Sequence, residues 1–350
     1  MRAIYFSQFM GELQVKEVPP PIASPNGVVI KVKASGLCRS DWHAWMGHDS
    51  DVVLPHVPGH ELSGVVSSAG AGVEKFRVGD RVTVPFVNGC GRCSYCQSGN
   101  AQVCPTQTQP GFTQWGSYAE FVSIENADFN LVLLPESISF AAAAALGCRF
   151  ATAFRGLKIR AKVQPGEWVA IFGCGGVGQS AIMIAKAFGA RVIAVDISPA
   201  ALTKAKQSGA DYLINSESSE VLAQIQDITG GGAEVAVDAL GSQLTSSQSI
   251  LCLGRLGRHL QLGLLPSPDG LTPEPMARVI AYELDLLGSH GMAAADYPQM
   301  LAMLEIGLLR PELLVERIVG LNEGKELLRV MGASSGATMG GITIIDPTLD

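Results

Sequence analysis

The chain has 350 residues, 47% apolar and 16% charged, which supplies material for a core and excludes a disordered polymer. Its length exceeds what one hydrophobic core serves and predicts two domains. A net charge of −7 without a dense Lys/Arg run argues against nucleic acid as a partner, and every long apolar stretch is interrupted by charge or clustered glycine, which argues against a membrane span.

Met1 to Gln8 contain too few apolar residues for a secretory signal, so the expected location is the cytoplasm. There the eight cysteines serve as thiols or metal ligands rather than disulfides. The first third reads as short strands separated by Pro and Gly, with 28–33, 64–66 and 81–85 as examples. That pattern predicts a small antiparallel barrel. Within it lie Cys38, in Gly-Leu-Cys-Arg-Ser-Asp-Trp-His, and His60 with Glu61, in Pro-Gly-His-Glu. Each has an ordinary alternative: a lone Cys is commonly a small buried hydrophobe, and a lone His is commonly satisfied by hydrogen bonds.

Cys90, Cys93, Cys96 and Cys104 follow as C-x2-C-x2-C-x7-C in a loop rich in Gly, Asn and Ser. Closely spaced thiolates on a tight loop reach one point without a supporting sheet. Four protein ligands make a closed, structural zinc site. Unligated, four such thiols would be prone to oxidation.

Cys148 stands in Leu-Gly-Cys-Arg-Phe, after a short helix-favouring alanine run. The pattern then changes. Residues 168–172 read as a buried strand, 177–188 as a helix and 191–195 as a second buried strand. Further strands are expected at 234–239, 259–264 and 284–289, with a helix at 199–207. Near-continuous apolar strands alternating with helices predict a parallel sheet covered on both faces. A helix at 297–307 and a closing strand at 341–345 complete the chain.

Between the first buried strand and its helix lies Gly173-Cys174-Gly175-Gly176-Val177-Gly178, a G-x-G-x-x-G turn. In this context the glycines let backbone approach a pyrophosphate while the helix N-terminus supplies positive potential. Asp196 ends the next strand, where an acid accepts the ribose 2′-hydroxyl and repels a 2′-phosphate, favouring NAD. Its alternative role is a helix cap before Ser198-Pro199.

Together, Gly59-His60-Glu61, the cysteine loop, Val78-Gly79-Asp80-Arg81-Val82 and the glycine turn occur in the order and approximate spacing of one family. Over essentially its whole length the chain resembles the zinc-containing medium-chain alcohol dehydrogenases. The resemblance implies an α/β protein: a GroES-like β-rich catalytic domain (1–149 and 290–350) and a Rossmann doubly wound parallel-sheet coenzyme domain (150–289). It implies two zinc ions per chain and NAD. A catalytic zinc would be held by Cys38, His60 and Cys148, with water, substrate or Glu61 in the fourth position, as an open Lewis-acid site requires.

By the same resemblance Asp41 would hydrogen-bond the far nitrogen of His60, although an Asp here also suits a helix start. Ser40 and His43 would carry the alcohol proton to solvent; an ordinary surface histidine is the alternative for His43. Arg39 would meet the pyrophosphate along with Gly173, Gly175, Gly176, Val177 and Gly178. The substrate slot would be lined by Ser40, Trp45, Phe86 and Trp115, favouring a primary or unhindered alcohol. A polyol, amino alcohol or glutathione adduct is the alternative substrate, and a non-catalytic scaffold using the same fold is the alternative outside enzymology.

Two departures stand out. The last strand reads Gly340-Gly341-Ile342 where many relatives carry an arginine for the pyrophosphate, and Arg149 follows Cys148 where many have a small residue. A homo-oligomer, tetrameric rather than dimeric, is expected, with 259–264 and 284–289 at a sheet edge that pairs across a two-fold axis.

Overall fold

The computed structural model describes residues 1–217, 220–265, 272–332 and 341–349, which fall into two compact units. One comprises Met1–Ala151 with the elements after Gly291, the other Thr152–His290.

The first unit opens with an antiparallel hairpin, β1 (Arg2–Tyr5) and β2 (Gln14–Glu17). The strands β3 (Val28–Leu37), β4 (Glu61–Ala69), β5 (Arg81–Val84), β6 (Phe121–Ile124) and β7 (Val132–Leu133) follow. Val28, Ile30, Val32, Leu62, Val66, Val82, Val84, Val122 and Ile124 meet in one buried cluster. β-branched residues predominate there because they pack well on a pleated surface. The register that positions the site is the antiparallel pairing of β3 with β4, which sets Gly36 against Glu61. The residues just beyond, Cys38 and His60, are therefore brought to the same end of the sheet.

The second unit is a parallel sheet of β8 (Trp168–Phe172), β9 (Arg191–Asp196), β10 (Tyr212–Asn215), β11 (Ala233–Asp238), β12 (Leu253–Gln261) and β13 (Asp285–Gly288). Their spatial order is β10-β9-β8-β11-β12-β13, the doubly wound arrangement whose order reverses between its first and fourth strands. Trp168, Ala170, Phe172, Ile193, Val195, Ile214 and Ala236 form its core with residues of the flanking helices. β12 begins well before the expected 259, because Gly254, Arg255, Gly257 and Arg258 interrupt the apolar pattern within a continuous strand. Of the two strands expected at an edge, β13 is terminal and β12 lies inside, between β11 and β13.

The chain then returns to the first unit through the helix Tyr297–Glu305, β14 (Val315–Val319) and β15 (Ile342–Ile345). The first sheet runs β14-β15-β3-β4-β5-β7, with β6 on β3. The strands of the first third pair antiparallel as expected, and the returning β14 and β15 add a parallel pair. The helix Leu321–Val330 lies between them in sequence, and a connection of that kind is what parallel neighbours need. Among the described residues no helix is long and apolar enough to cross a membrane.

Candidate metal centres and dinucleotide turn

The sulfurs of Cys90, Cys93, Cys96 and Cys104 all lie within 4.8 Å of one another. Cys90 and Cys96 are 4.0 Å apart at sulfur, and Cys93 and Cys104 3.7 Å. Bonds of ~2.3 Å to a tetrahedral zinc place thiolates ~3.8 Å apart, a spacing that both of these pairs approach, so the donor set suits the ion. The Cys90 N–H donates to Cys104 Sγ (3.4 Å) and the Cys96 N–H to Cys93 Sγ (3.5 Å), both contacts that favour thiolate. Backbone donors around Arg92, with the Thr106 hydroxyl, hold the Cys90 thiol down to about 5. Burial pushes Cys96 up to about 12.

The second cluster is assembled from distant segments. Ligand atoms of Cys38, His60, Glu61 and Cys148 also lie within 4.8 Å of one another. Cys38 caps α1 (Arg39–Trp45), and Asp41, one turn in, does both jobs that the sequence offered it. Its Oδ2 accepts from the Cys38 N–H (3.2 Å), while Oδ1 accepts from His60 Nδ1 and the Gly59 N–H, both at 2.9 Å. With Nδ1 so engaged, His60 turns Nε2 into the cluster, where it is buried and meets no hydrogen-bond partner among the described residues. An orphaned buried nitrogen is costly and suits a metal. Burial opposes charge on His60, but Asp41 outweighs it and lifts the imidazole well above its usual value in the protein alone. A hydrogen bond from Cys148, aided by the Arg149 charge against burial, holds Cys38 low. Cys148 is correspondingly raised. Two sulfurs sharing one proton and an imidazole held by Asp41 at Nδ1 form a donor set that would give up its remaining protons to a bound cation, leaving Nε2 as the free donor.

Sequence reasoning missed Tyr118. Fully buried, it donates its hydroxyl to Asp41 Oδ2 at 2.6 Å and accepts from the Cys38 N–H at 3.3 Å. Burial, with Asp41 beside it, pushes the phenol well above its normal range, so it remains a donor. Nothing in the local sequence marks it.

Glu61 is also buried, and its Oε1 accepts from the Cys148 N–H (2.9 Å), the Arg149 N–H (3.2 Å) and Arg149 Nε (3.2 Å). Its Oε2 pairs with Arg149 Nη2. The backbone donors point inward because Leu146–Phe150 forms a π-helical turn, a feature frequent at functional sites.

Ser40 Oγ lies 3.8 Å from Cys38 Sγ. His43 follows on the same helix, and its Nδ1 is 2.9 Å from Nδ1 of His48, a residue with no expected role. Arg39 is exposed, its guanidinium 6.0 Å from the Trp42 ring. Phe86 stands edge-on to His60 with ring centroids 5.9 Å apart. Trp45 is buried and donates to the Gly11 carbonyl. Trp115 is placed elsewhere than expected: it packs edge-on to Tyr5, donates to the Pro55 carbonyl and lines a surface depression with Met1 and Phe121. Its tight anchorage on the first hairpin explains the difference. The aromatic that joins Phe86 against His60 is Phe112, at 5.2 Å.

In the second unit the glycine turn connects β8 to α2 (Gly176–Ala187). Gly173 adopts a left-handed φ of +88°, which favours glycine. A Cβ on Gly178 would stand 1.8 Å from the Gly173 carbonyl oxygen, so the turn closes only with glycine there. Gly175 faces open space, and Gly176 and Val177 begin the helix. Asp196 Oδ2 accepts from the Cys174 N–H (2.6 Å) and Oδ1 from the Ser198 N–H (2.8 Å). It therefore ties the strand end to the turn while capping the next segment. Asp238, unremarked in the sequence, organises the adjacent loop by accepting from the Leu240 and Gly241 N–H groups, both at 3.0 Å. Gly340, in the departing last-strand motif, lies outside the described residues.

Residues 24–136 match the alcohol dehydrogenase GroES-like domain and 176–305 the zinc-binding dehydrogenase domain. An alcohol dehydrogenase of Geobacillus stearothermophilus is 35% identical over 92% of this chain and 94% of its own. An NAD-dependent alcohol dehydrogenase of Sulfurisphaera tokodaii is 31% identical over 94% of this chain and 95% of its own. The solved alcohol dehydrogenase of Thermus sp. ATN1 superposes with a TM-score of 0.90 at 30% identity, covering 99% of both chains.

Proposed function

Since the chain belongs to the zinc-containing medium-chain alcohol dehydrogenases, we propose that it oxidises primary or unhindered secondary alcohols to aldehydes or ketones, reversibly, with NAD. The observation that carries this reading is the convergence of Cys38, His60 and Cys148, with His60 Nε2 buried and orphaned among them.

Three protein ligands make Cys38, His60 and Cys148 the holders of the catalytic zinc, and Cys90, Cys93, Cys96 and Cys104 those of a structural one. Bound zinc supplies an electrophile that makes an alcohol hydroxyl more acidic. Asp41 fixes His60 in the tautomer whose Nε2 carries a lone pair. Ser40, beside Cys38, receives the substrate proton, and His43 with exposed His48 passes it to water. Phe86 and Phe112 give the neighbourhood of His60 an apolar wall that suits a plain alcohol better than a polyol.

Gly173, Gly175, Gly176, Val177 and Gly178 offer backbone to the pyrophosphate, and Arg39 adds its charge. Asp196 accepts the ribose 2′-hydroxyl and repels a 2′-phosphate. The name of the Sulfurisphaera relative agrees with NAD. Edge strand β13 supports a homo-oligomer built by strand pairing, here a tetramer.

The test is metal analysis combined with NADH formation. Two zincs per chain with activity on simple alcohols, against one zinc and activity lowered by about 10³ for Cys38→Ser, is expected. One zinc in the wild type would sink the reading; so would a panel in which polyols far exceed simple alcohols, for the substrate, or NADP exceeding NAD, for the coenzyme.

A further inference from the structure

Glu61 sits among the candidate ligands, yet its carboxylate is already engaged. Gly36 and Gly147 wall its niche: a Cβ on Gly36 would stand 2.3 Å from Glu61 Oε2, and one on Gly147 2.6 Å from Glu61 Cβ. Inside, Oε1 takes two backbone N–H groups and Arg149 Nε, while Nη2 of the same guanidinium takes Oε2. The fork is planar and fixed in geometry, and Arg149 is itself buried. The carboxylate and guanidinium cancel, so the pair adds no net charge to two thiolates and a neutral imidazole. Without the arginine, an unpaired carboxylate would be left in a dry niche within reach of a cation, and buried unpaired charge is strongly disfavoured.

We propose that Arg149 is a latch: its bidentate pairing with Glu61 keeps that carboxylate out of the metal's fourth position and reserves the position for substrate. Arg149 is on this view a positioning residue, acting through Glu61. The inference rests on the metal reading above and deepens it.

Cobalt(II) exchanged into the whole protein reports coordination directly through its visible bands, and imidazole titrates the vacancy. The four-thiolate site has no vacancy, so the imidazole-dependent change belongs to Cys38, His60 and Cys148. Wild type is expected to bind imidazole, and Arg149→Gln to bind it at least about 10-fold more weakly, with an altered resting spectrum. Adding Glu61→Gln to that variant removes the competing carboxylate and should return the affinity toward wild type. Arg149→Lys keeps the charge but loses the fork and should fall between; if Arg149→Gln does not fold, Arg149→Lys with and without Glu61→Gln carries the comparison. Imidazole affinity unchanged by loss of the guanidinium, or no recovery in the double variant, overturns the latch alone. A wild type whose cobalt spectrum ignores imidazole overturns the metal reading and the latch with it.

Discussion

The two cysteine-bearing clusters of the first unit, read as metal sites, are built in opposite ways. In the loop, four sulfurs come from one short segment, and backbone N–H groups are their chief support. At the open site, the donors Cys38, His60 and Cys148 arrive from separate segments and depend on Asp41, Tyr118, Glu61 and Arg149, all buried. A site that closes its coordination sphere needs little beyond its ligands. One that keeps a position free must be held in shape by something other than the metal, and a hydrogen-bonded network is what supplies that hold.

The largest effect that would sharpen the contrast belongs to the closed site. Cys104→Ser should lose one zinc per chain and lower Tm by about 8–16 °C, taking ~4 kcal/mol from the ~10–16 kcal/mol typical of structural zinc and ~2–4 °C per kcal/mol. Zinc loss with an unmoved Tm would mean that the loop is not stabilised by its metal. The open site should respond in the other currency: Cys38→Ser is expected to lower kcat/KM by about 10³, or ~4 kcal/mol of electrophilic assistance, while Tm moves only a few degrees. If its Tm fell as far as that of Cys104→Ser, the distinction between closed and open sites would collapse.

Smaller effects probe the supporting network. Asp41→Asn removes the carboxylate that orients His60 and should weaken metal affinity by about 10–100-fold, read by competition with a chelator. Tyr118→Phe leaves Asp41 its donors from Cys38, Gly59 and His60, so the loss should be nearer 1 kcal/mol, roughly fivefold. Equal losses would show that the phenol, not the carboxylate, sets the geometry.

The same contrast decides what was legible in the sequence. The cysteine loop declared itself through spacing, since its ligands share one turn-rich segment, and the β8–turn–α2 unit through apolar runs on either side of glycines. Cys38, His60 and Cys148 needed resemblance, because nothing local brings them together; the β3–β4 register does so for the first two. Tyr118 and Phe112 were invisible for the same reason. Their partners lie dozens of residues away, and each reads locally as an ordinary core aromatic. Trp115 was misplaced because a large ring near the site in sequence packs against Tyr5 instead. β12 was shortened because its polar stretch hides a strand.

The smallest predicted effect asks whether the open site exchanges protons with water, which the closed one has no need to do. Burial, then the neighbouring His48 and Arg39, lowers the His43 imidazole from its usual value. The ring is therefore neutral at pH 7 and able to accept, and it gains a proton only as pH falls through that lowered value. Alcohol oxidation should accordingly slow on the acid side, over a range below the ordinary histidine pKa. His43→Gln should flatten that acid limb and cost roughly threefold at neutral pH, well short of the ~10² of a direct general base, because Ser40 and water remain. Small imidazole buffers should recover the loss. An unchanged acid limb in His43→Gln would place the titrating group elsewhere and leave His43 and His48 an ordinary surface pair.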